Sequence, residues 1–224
     1  MKKICAVIPC FNVEQTIEKV IDGVSQFITV NQIIVVDDGS EDQTASIAKE
    51  SGAIVLQNGV NRGKGSALKH GFQYACQNHF DAIITLDGDC QHDPVEIPKF
   101  IECYIKTNGD IILGNRSGEF SNMPLDRQFS NKMSSLIISL LTGQRIKDSQ
   151  SGYRLIKTEV LQHVELKSNR YDTESELLVK ALMSRYNVYH IPIKTIYNDQ
   201  QSHIQRFVDT LRFVRIVYLS LIHK

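Results

Sequence analysis

The chain has 224 residues, 42% of them hydrophobic and 22% charged, which suits one globular domain with a full core. Its 25 Lys/Arg balance 25 Asp/Glu, against the basic excess of a nucleic-acid binder. No run approaches the roughly 20 apolar residues of a spanning helix. The five cysteines are odd in number and form no CxxC, so a disulfide framework or zinc site is excluded in favour of a reducing cytosol.

The basic start MKKICAVIPCFN stops its apolar part at Pro9, so it reads as a first strand rather than a signal peptide. Further Ile/Val-rich runs at Ile33–Val36, Ile54–Leu56, Ile83–Leu86 and Ile111–Leu113 predict strands. Between them Val13–Phe27, Asp42–Ser51, Gly65–Asn78 and Pro94–Thr107 have helical length and periodicity, and Asp93 before Pro94 suits an N-cap. Ser117–Gln128 reads as a loop. Ser130–Leu141, Thr158–Val164, Thr173–Tyr186 and Phe207–Ile222 read as helices, and Val188–Ile196 as a strand. Alternating strands and helices predict an α/β domain over 1–224 with a mostly parallel sheet, whose ligands lie at the carboxyl ends of strands. Pro9–Asn12, Asp37–Ser40, Asn61–Lys64, Asp87–Asp89 and Arg116 all fall at such ends.

Charge divides along the chain. Residues 1–110 hold nine Lys/Arg against fifteen Asp/Glu, and residues 111–224 sixteen against ten. An acidic front and a basic back could serve a cation and an anion in turn, or reflect chance placement of surface charge.

Three motifs carry the chemistry. In VVDDGSED, Asp37 and Asp38 could accept from a ribose or a base, or simply cap a turn. In NRGKGSAL, Gly63 and Gly65 before a helix, with Lys64 as counter-charge, fit a nucleotide-binding turn or a plain helix start. They match neither the dinucleotide fingerprint nor a P-loop. In LDGDCQHDP, Asp87 and Asp89 flank Gly88, with Gln91 and His92 as further donors. Oxygen-rich ligands suit Mg²⁺ or Mn²⁺, and the alternative is an exposed acidic turn.

IPCFN, VVDDGSEDQT, NRGKGSAL, LDGDCQHDP, LGNR and DSQSGYR together closely resemble family 2 glycosyltransferases, most of all the dolichol- or polyprenol-phosphate mannosyltransferase branch. The resemblance runs from Ile4 to about Arg215. It implies a GT-A fold and an inverting sugar transfer from a GDP- or UDP-sugar to a polyprenyl phosphate. Residues 1–116 would form the nucleotide-sugar and metal half, and 117–224 an acceptor half with amphipathic helices. By this likeness Asp87, Asp89 and Gln91 hold Mg²⁺ or Mn²⁺. Pro9, Phe11, Asn12, Glu14, Asp38, Lys64, Asp87 and Gly88 line the nucleotide-sugar site. Glu14 stands in for a Glu that relatives carry directly after Asn, where this chain has Val13. Asp89, Arg116, Arg127 and Glu174 are the candidate catalytic residues. Arg116, Arg127, Gln150, Ser151 and Arg154 line the acceptor pocket, shaped also by Asp148.

An acceptor phosphate needs cations but no base, being largely ionised with a second pKa of about 6. Arginine's fork suits its oxygens, though each of these arginines could equally serve a salt bridge. A hydroxyl acceptor needs a base, and Glu174 falls nearest that position, where it could also be a first-turn acid favoured by the helix dipole. Ser202 and His203 match a lid over the diphosphate. MSSLIISLL and the C-terminal helix, with Arg206, Arg212 and Arg215, fit either a lipid interface or packing in the core or a dimer. Ending at Lys224 without a transmembrane pair, the chain is expected to be cytoplasmic and peripheral at the inner membrane face, with self-association left open. Transfer to a lipid or saccharide hydroxyl, and a non-catalytic nucleotide-sugar binder, are the alternatives.

Overall fold

The computed structural model of the protein describes residues 2–116, 125–170, 172–194 and 196, with residues 125–127 described by backbone alone. The predicted helix at Phe207–Ile222 and Ser202–His203 lie outside these residues, as do most of the Ser117–Gln128 segment and the Arg127 side chain.

Seven strands form one sheet: β1 (Ile4–Cys10), β2 (Ile33–Asp37), β3 (Ile54–Gln57), β4 (Ala82–Thr85), β5 (Ile111–Asn115), β6 (Arg154–Lys157) and β7 (Val188–Pro192). Their order is β3-β2-β1-β4-β6-β5-β7. All pairings are parallel except those of β6, which runs antiparallel to both β4 and β5. Among the described residues there are seven α-helices, α1 (Ile17–Ser25), α2 (Thr44–Glu50), α3 (Lys64–Gln77), α4 (Ile97–Thr107), α5 (Leu125–Thr142), α6 (Thr158–His163) and α7 (Asp172–Met183), and two short 3-10 helices at Val30–Gln32 and Pro94–Glu96.

The pleat explains the layering. Alternate residues of β1 serve opposite faces, so Ile4, Ala6 and Ile8 join the core under α1 and α4, while Cys5 and Val7 join the one under α3 and α7. Helix α1 presents Ile17, Val20, Ile21 and Val24 as its buried stripe. Each contributes roughly 1.5–3 kcal/mol of burial free energy. Pro9 sits in a central strand, where proline is usually excluded. It is tolerated because β1 pairs with β4 only through Val7, whereas the pairing with β2 continues to Cys10.

Two expectations are corrected. Helix α5 begins at Leu125, inside the segment read as a loop; after Pro124 the sequence LDRQ holds nothing that breaks a helix. Strand β6 was not expected, because RLIK is four residues long with charge at both ends. Its leading Arg154 is nevertheless buried. Asp93 caps as read, its Oδ1 accepting from the Val95 N–H at 3.0 Å ahead of the turn that leads into α4.

Since β6 reverses direction, the carboxyl ends of β1, β2, β4 and β5 share one edge with the start of β6. The sheet order turns back between β1 and β4, which is where open α/β sheets place ligands.

Candidate active site at the sheet edge

The LDGDCQHDP turn leaves β4 and is braced on all sides. The Asp87 N–H donates to His92 Nδ1 at 3.0 Å, and Thr16 Oγ1 donates to the Gly88 carbonyl at 2.6 Å. His92 is buried against Tyr153, whose ring stacks on Phe100 with centroids 4.5 Å apart. His92 is therefore a prop for the turn: its Nδ1 lone pair is used by the Asp87 backbone and is not offered to a metal. Burial, ahead of the charge of Lys64, holds its pKa below the ordinary value despite the opposing pull of Asp87. Asp89 Oδ1 accepts the Gln91 N–H at 3.0 Å.

The two motif carboxylates are electrostatically unlike. Burial would raise Asp87, but Lys64 and then His92 outweigh it and hold the carboxyl at about 2. Asp89 is raised, first by burial and then by the charge of Asp87. Asp87 Oδ1 lies 2.6 Å from Lys64 Nζ, and Glu174 Oε2 lies 3.4 Å from the same ammonium. Gly152 closes over this trio. A Cβ there would stand 3.0 Å from Glu174 Oε1, 3.2 Å from Lys64 Nζ and 3.4 Å from Asp87 Oδ2. Sequence reasoning did not single out Gly152; its place in the DSQSGYR loop, opposite the acidic turn, was the available signal.

The NRGKG turn is built differently from a phosphate cradle. Gly63, at φ +97°, leaves room for the Asn169 carbonyl, and a Cβ at Gly65 would run into Thr173 and the Arg170 carbonyl. The Ser66 N–H, in the first turn of α3, donates to the Gly63 and Asn169 carbonyls. The glycines thus admit the 169–173 segment, which favours the helix-start reading and puts Lys64 in the site by way of a packed turn.

Asp38 is turned to the same task. It is buried; its Oδ2 accepts from the Arg62 and Gly63 N–H groups at 3.0 and 2.6 Å, and its Oδ1 from Asn58 Nδ2 at 2.7 Å. It fixes the Lys64 turn rather than facing a base or ribose with open oxygens. Asn12 and Glu14 tie the end of β1 to the 40–43 loop, accepting the Glu41 and Gln43 N–H groups at 2.9 and 3.0 Å. Phe11 is exposed beside them, and Pro9 is buried in β1.

Arg116 follows β5. Its Nε and Nη2 donate to the two oxygens of Asp148 at 2.8 and 3.0 Å, and its backbone N–H donates to the same carboxylate at 3.2 Å. Asp148 is fully buried and also accepts from Asn131 of α5 at 2.9 Å. Burial would raise this carboxyl, but the charge and hydrogen bonds of Arg116 hold it below the usual range. Gln150 reaches toward Ser130 and Ser134 at 3.4 Å, on the same side. Ser151 is buried.

Arg154 departs from the expectation of an acceptor-pocket residue. It is 2% exposed and spends its guanidinium on the carbonyls of Ser149, Ser151 and Glu174, at 3.0, 2.7 and 2.6 Å. It clamps the DSQSGYR loop to the first turn of α7. The structure thus brings together Asp87, Asp89, Lys64 and Glu174, and sets Arg116 with Asp148 and Gln150 in a neighbouring polar group.

Among the described residues no three His, Cys, Asp or Glu side chains are grouped to hold a metal by themselves. Asp87, Asp89 and Gln91 still fit a divalent ion of the Mg²⁺ class, which is commonly held by one or two carboxylates with substrate phosphates and water completing the shell. Burial and then the charge of Asp87 raise Asp89, and such an ion would relieve that repulsion.

Residues 5–165 match the family described as Glycosyl transferase family 2. The chain is 34% identical to an N-acetylglucosaminyltransferase from Methanococcus voltae, named as using UDP-N-acetylglucosamine and dolichyl phosphate, over 88% of this chain and 87% of that one. It is 32% identical to a dolichol-phosphate mannosyltransferase of Pyrococcus furiosus, over 82% of this chain and 54% of the other. The solved glucosyl-3-phosphoglycerate synthase of Mycobacterium tuberculosis in complex with UDP superposes with a TM-score of 0.76 at 19% identity, over 98% of this chain and 80% of that one. That likeness carries the GT-A fold. The chain belongs to glycosyl transferase family 2, and its enzyme class is glycosyltransferase.

Proposed function

We propose that the protein moves a sugar from a nucleoside-diphosphate donor to a polyprenyl phosphate, at a membrane surface, with Mn²⁺ or Mg²⁺ bound by Asp87, Asp89 and Gln91. The observation that carries the acceptor is the near full-length similarity to the Methanococcus voltae protein named for dolichyl phosphate. UDP and Mn²⁺ are present in solved structures of the same fold, which supports a uridine nucleotide and a divalent ion.

The ion would act as a Lewis acid on the departing diphosphate. The chain's own residues do the rest. Asp87 and Asp89 place the negative end of the site, Lys64 adds a cation beside it, and exposed Phe11 offers a face for the base. Arg116, its guanidinium plane fixed by Asp148, supplies positive charge for the acceptor phosphate, with Arg127 as a second cation. An ionised phosphate oxygen attacks without a base.

Membrane contact is supported by α5. Its inner face buries Ile138 with Asn131, Ser134 and Ser135, while its outer face exposes Phe129, Met133, Leu136 and Leu140 beside Lys132. No helix among the described residues is long and apolar enough to cross a membrane.

The test is a panel of UDP- and GDP-sugars with Mn²⁺, with and without a short polyprenyl phosphate. Glycolipid formed from one donor, only when the phosphate is present, is the expected result. Donor consumption that requires a saccharide or lipid alcohol would replace this acceptor with a hydroxyl.

A further inference from the structure

Two carboxylates, Asp87 and Glu174, share the ammonium of Lys64 at 2.6 and 3.4 Å, and Asp89 lies two residues beyond Asp87 in the same turn. The backbone at both ends of this bridge is held in place. Lys64 opens α3 from a turn pinned by Asp38 and by the Asn169 carbonyl. Glu174 sits in the first turn of α7, where its carbonyl accepts from Arg154. Its carboxylate is 15% exposed, with Oε2 toward Lys64 and Oε1 against Gly152. A general base needs an oxygen within hydrogen-bond reach of the acceptor proton. This carboxylate instead borders the ammonium on one oxygen and lies on the side of Gly152 with the other.

We propose that Glu174 is a positioning residue acting through Lys64: by sharing the ammonium charge with Asp87, it sets how strongly the Asp87–Asp89 pair holds a divalent cation. The proposal rests on the phosphate-acceptor reading, in which no base is required. Without the Glu174 charge, more of the Lys64 charge falls on Asp87 and competes with the ion. Without Lys64, the ion meets the full negative charge of the carboxylates.

Mn²⁺ binding, read from loss of the free-ion EPR signal with no nucleotide or acceptor present, tests it. Glu174→Gln should weaken Mn²⁺ about threefold to tenfold, Lys64→Met should tighten it, and in the double variant the Glu174→Gln effect should shrink to about twofold or less. Kinetically, Glu174→Gln should raise the donor KM more than it lowers kcat and keep the acidic limb of the pH–rate profile. A kcat loss of about 10²–10⁴ with that limb abolished and Mn²⁺ affinity unchanged would make Glu174 the base and overturn the proposal. So would an equal Glu174→Gln effect with and without Lys64. If Glu174→Gln does not fold, the Lys64→Met arm decides, since unchanged or weaker Mn²⁺ affinity there also overturns it. Failure of the acceptor reading would appear separately, as no glycolipid from the wild type.

Discussion

Gly152 and Asp148 show how much a single position decides in this site. Gly152→Ala places a methyl within 3.0–3.4 Å of three side-chain ends that can each shift slightly. Fold stability should change by less than about 1 kcal/mol, because flexible tips yield cheaply. Donor KM should rise severalfold, and Gly152→Val should do more; steady-state kinetics beside thermal melts separate the two effects. Asp148→Asn leaves Arg116 without its buried counter-charge. It should cost about 3 kcal/mol, read by urea unfolding. Because the Asp148 carboxyl is held below its unfolded value, its contribution is present above about pH 4 and is lost as pH falls through the folded pKa. His190 gives the other pH signal. Burial, and then Lys147, lowers it to about 4, and its Nε2 accepts the Lys147 N–H at 3.3 Å. Between about pH 6.5 and that value the unfolded chain binds a proton the folded one refuses, so stability should fall with acidification across this window. His190→Gln should flatten that slope in melts taken from pH 7 to 4. The Asp-Gly-Asp turn was legible from residue types alone. The destinations of Asp38, Arg154 and the two glycines of NRGKG were not, because each is set by partners on other segments: Asn58 and the 62–63 backbone for Asp38, the Glu174 carbonyl for Arg154, and residues 169, 170 and 173 for the glycines.

At the scale of elements, α5 has the clearest consequence. The helix buries serines beside Ile138, and its polar inner positions are satisfied by the Asp148 network, where Ser134 and Ser135 both meet Ser149. Leu136→Gln with Leu140→Gln should leave the melting temperature within about 2 °C while cutting co-sedimentation with anionic vesicles at least threefold, since both side chains are exposed. Full vesicle binding by the double variant would remove α5 from the membrane contact. The strands and the first four helices were readable because period and punctuation agree. Strand β6 was hidden, since four residues are too few for alternation to register and its pairing is with strands some 40 and 70 positions earlier.

For the whole molecule, ligand linkage follows from the incomplete metal shell. Mn²⁺ alone should shift the melting temperature little. Mn²⁺ with UDP at about 100 times Kd should add about 2.7 kcal/mol, reversed by EDTA. A shift from Mn²⁺ alone as large as from both would mean a complete protein-built metal site. Read from sequence, the chain divides at residue 116 into a donor half and an acceptor half, yet Glu174 and Gly152 of the second stand beside Lys64 and Asp87 of the first. Nor does that division describe how the chain is woven. Strand β6 comes from the second half and lies between β4 and β5, two strands of the first. Cut at 116, the first half would keep β4 and β5 with no partner joining them, an open seam in the middle of the sheet. Acceptor preference in such an architecture is therefore poorly suited to wholesale exchange between relatives. A chimera joined at that point must re-knit two antiparallel ladders, whereas one that trades only the loop preceding β6 leaves the weave intact.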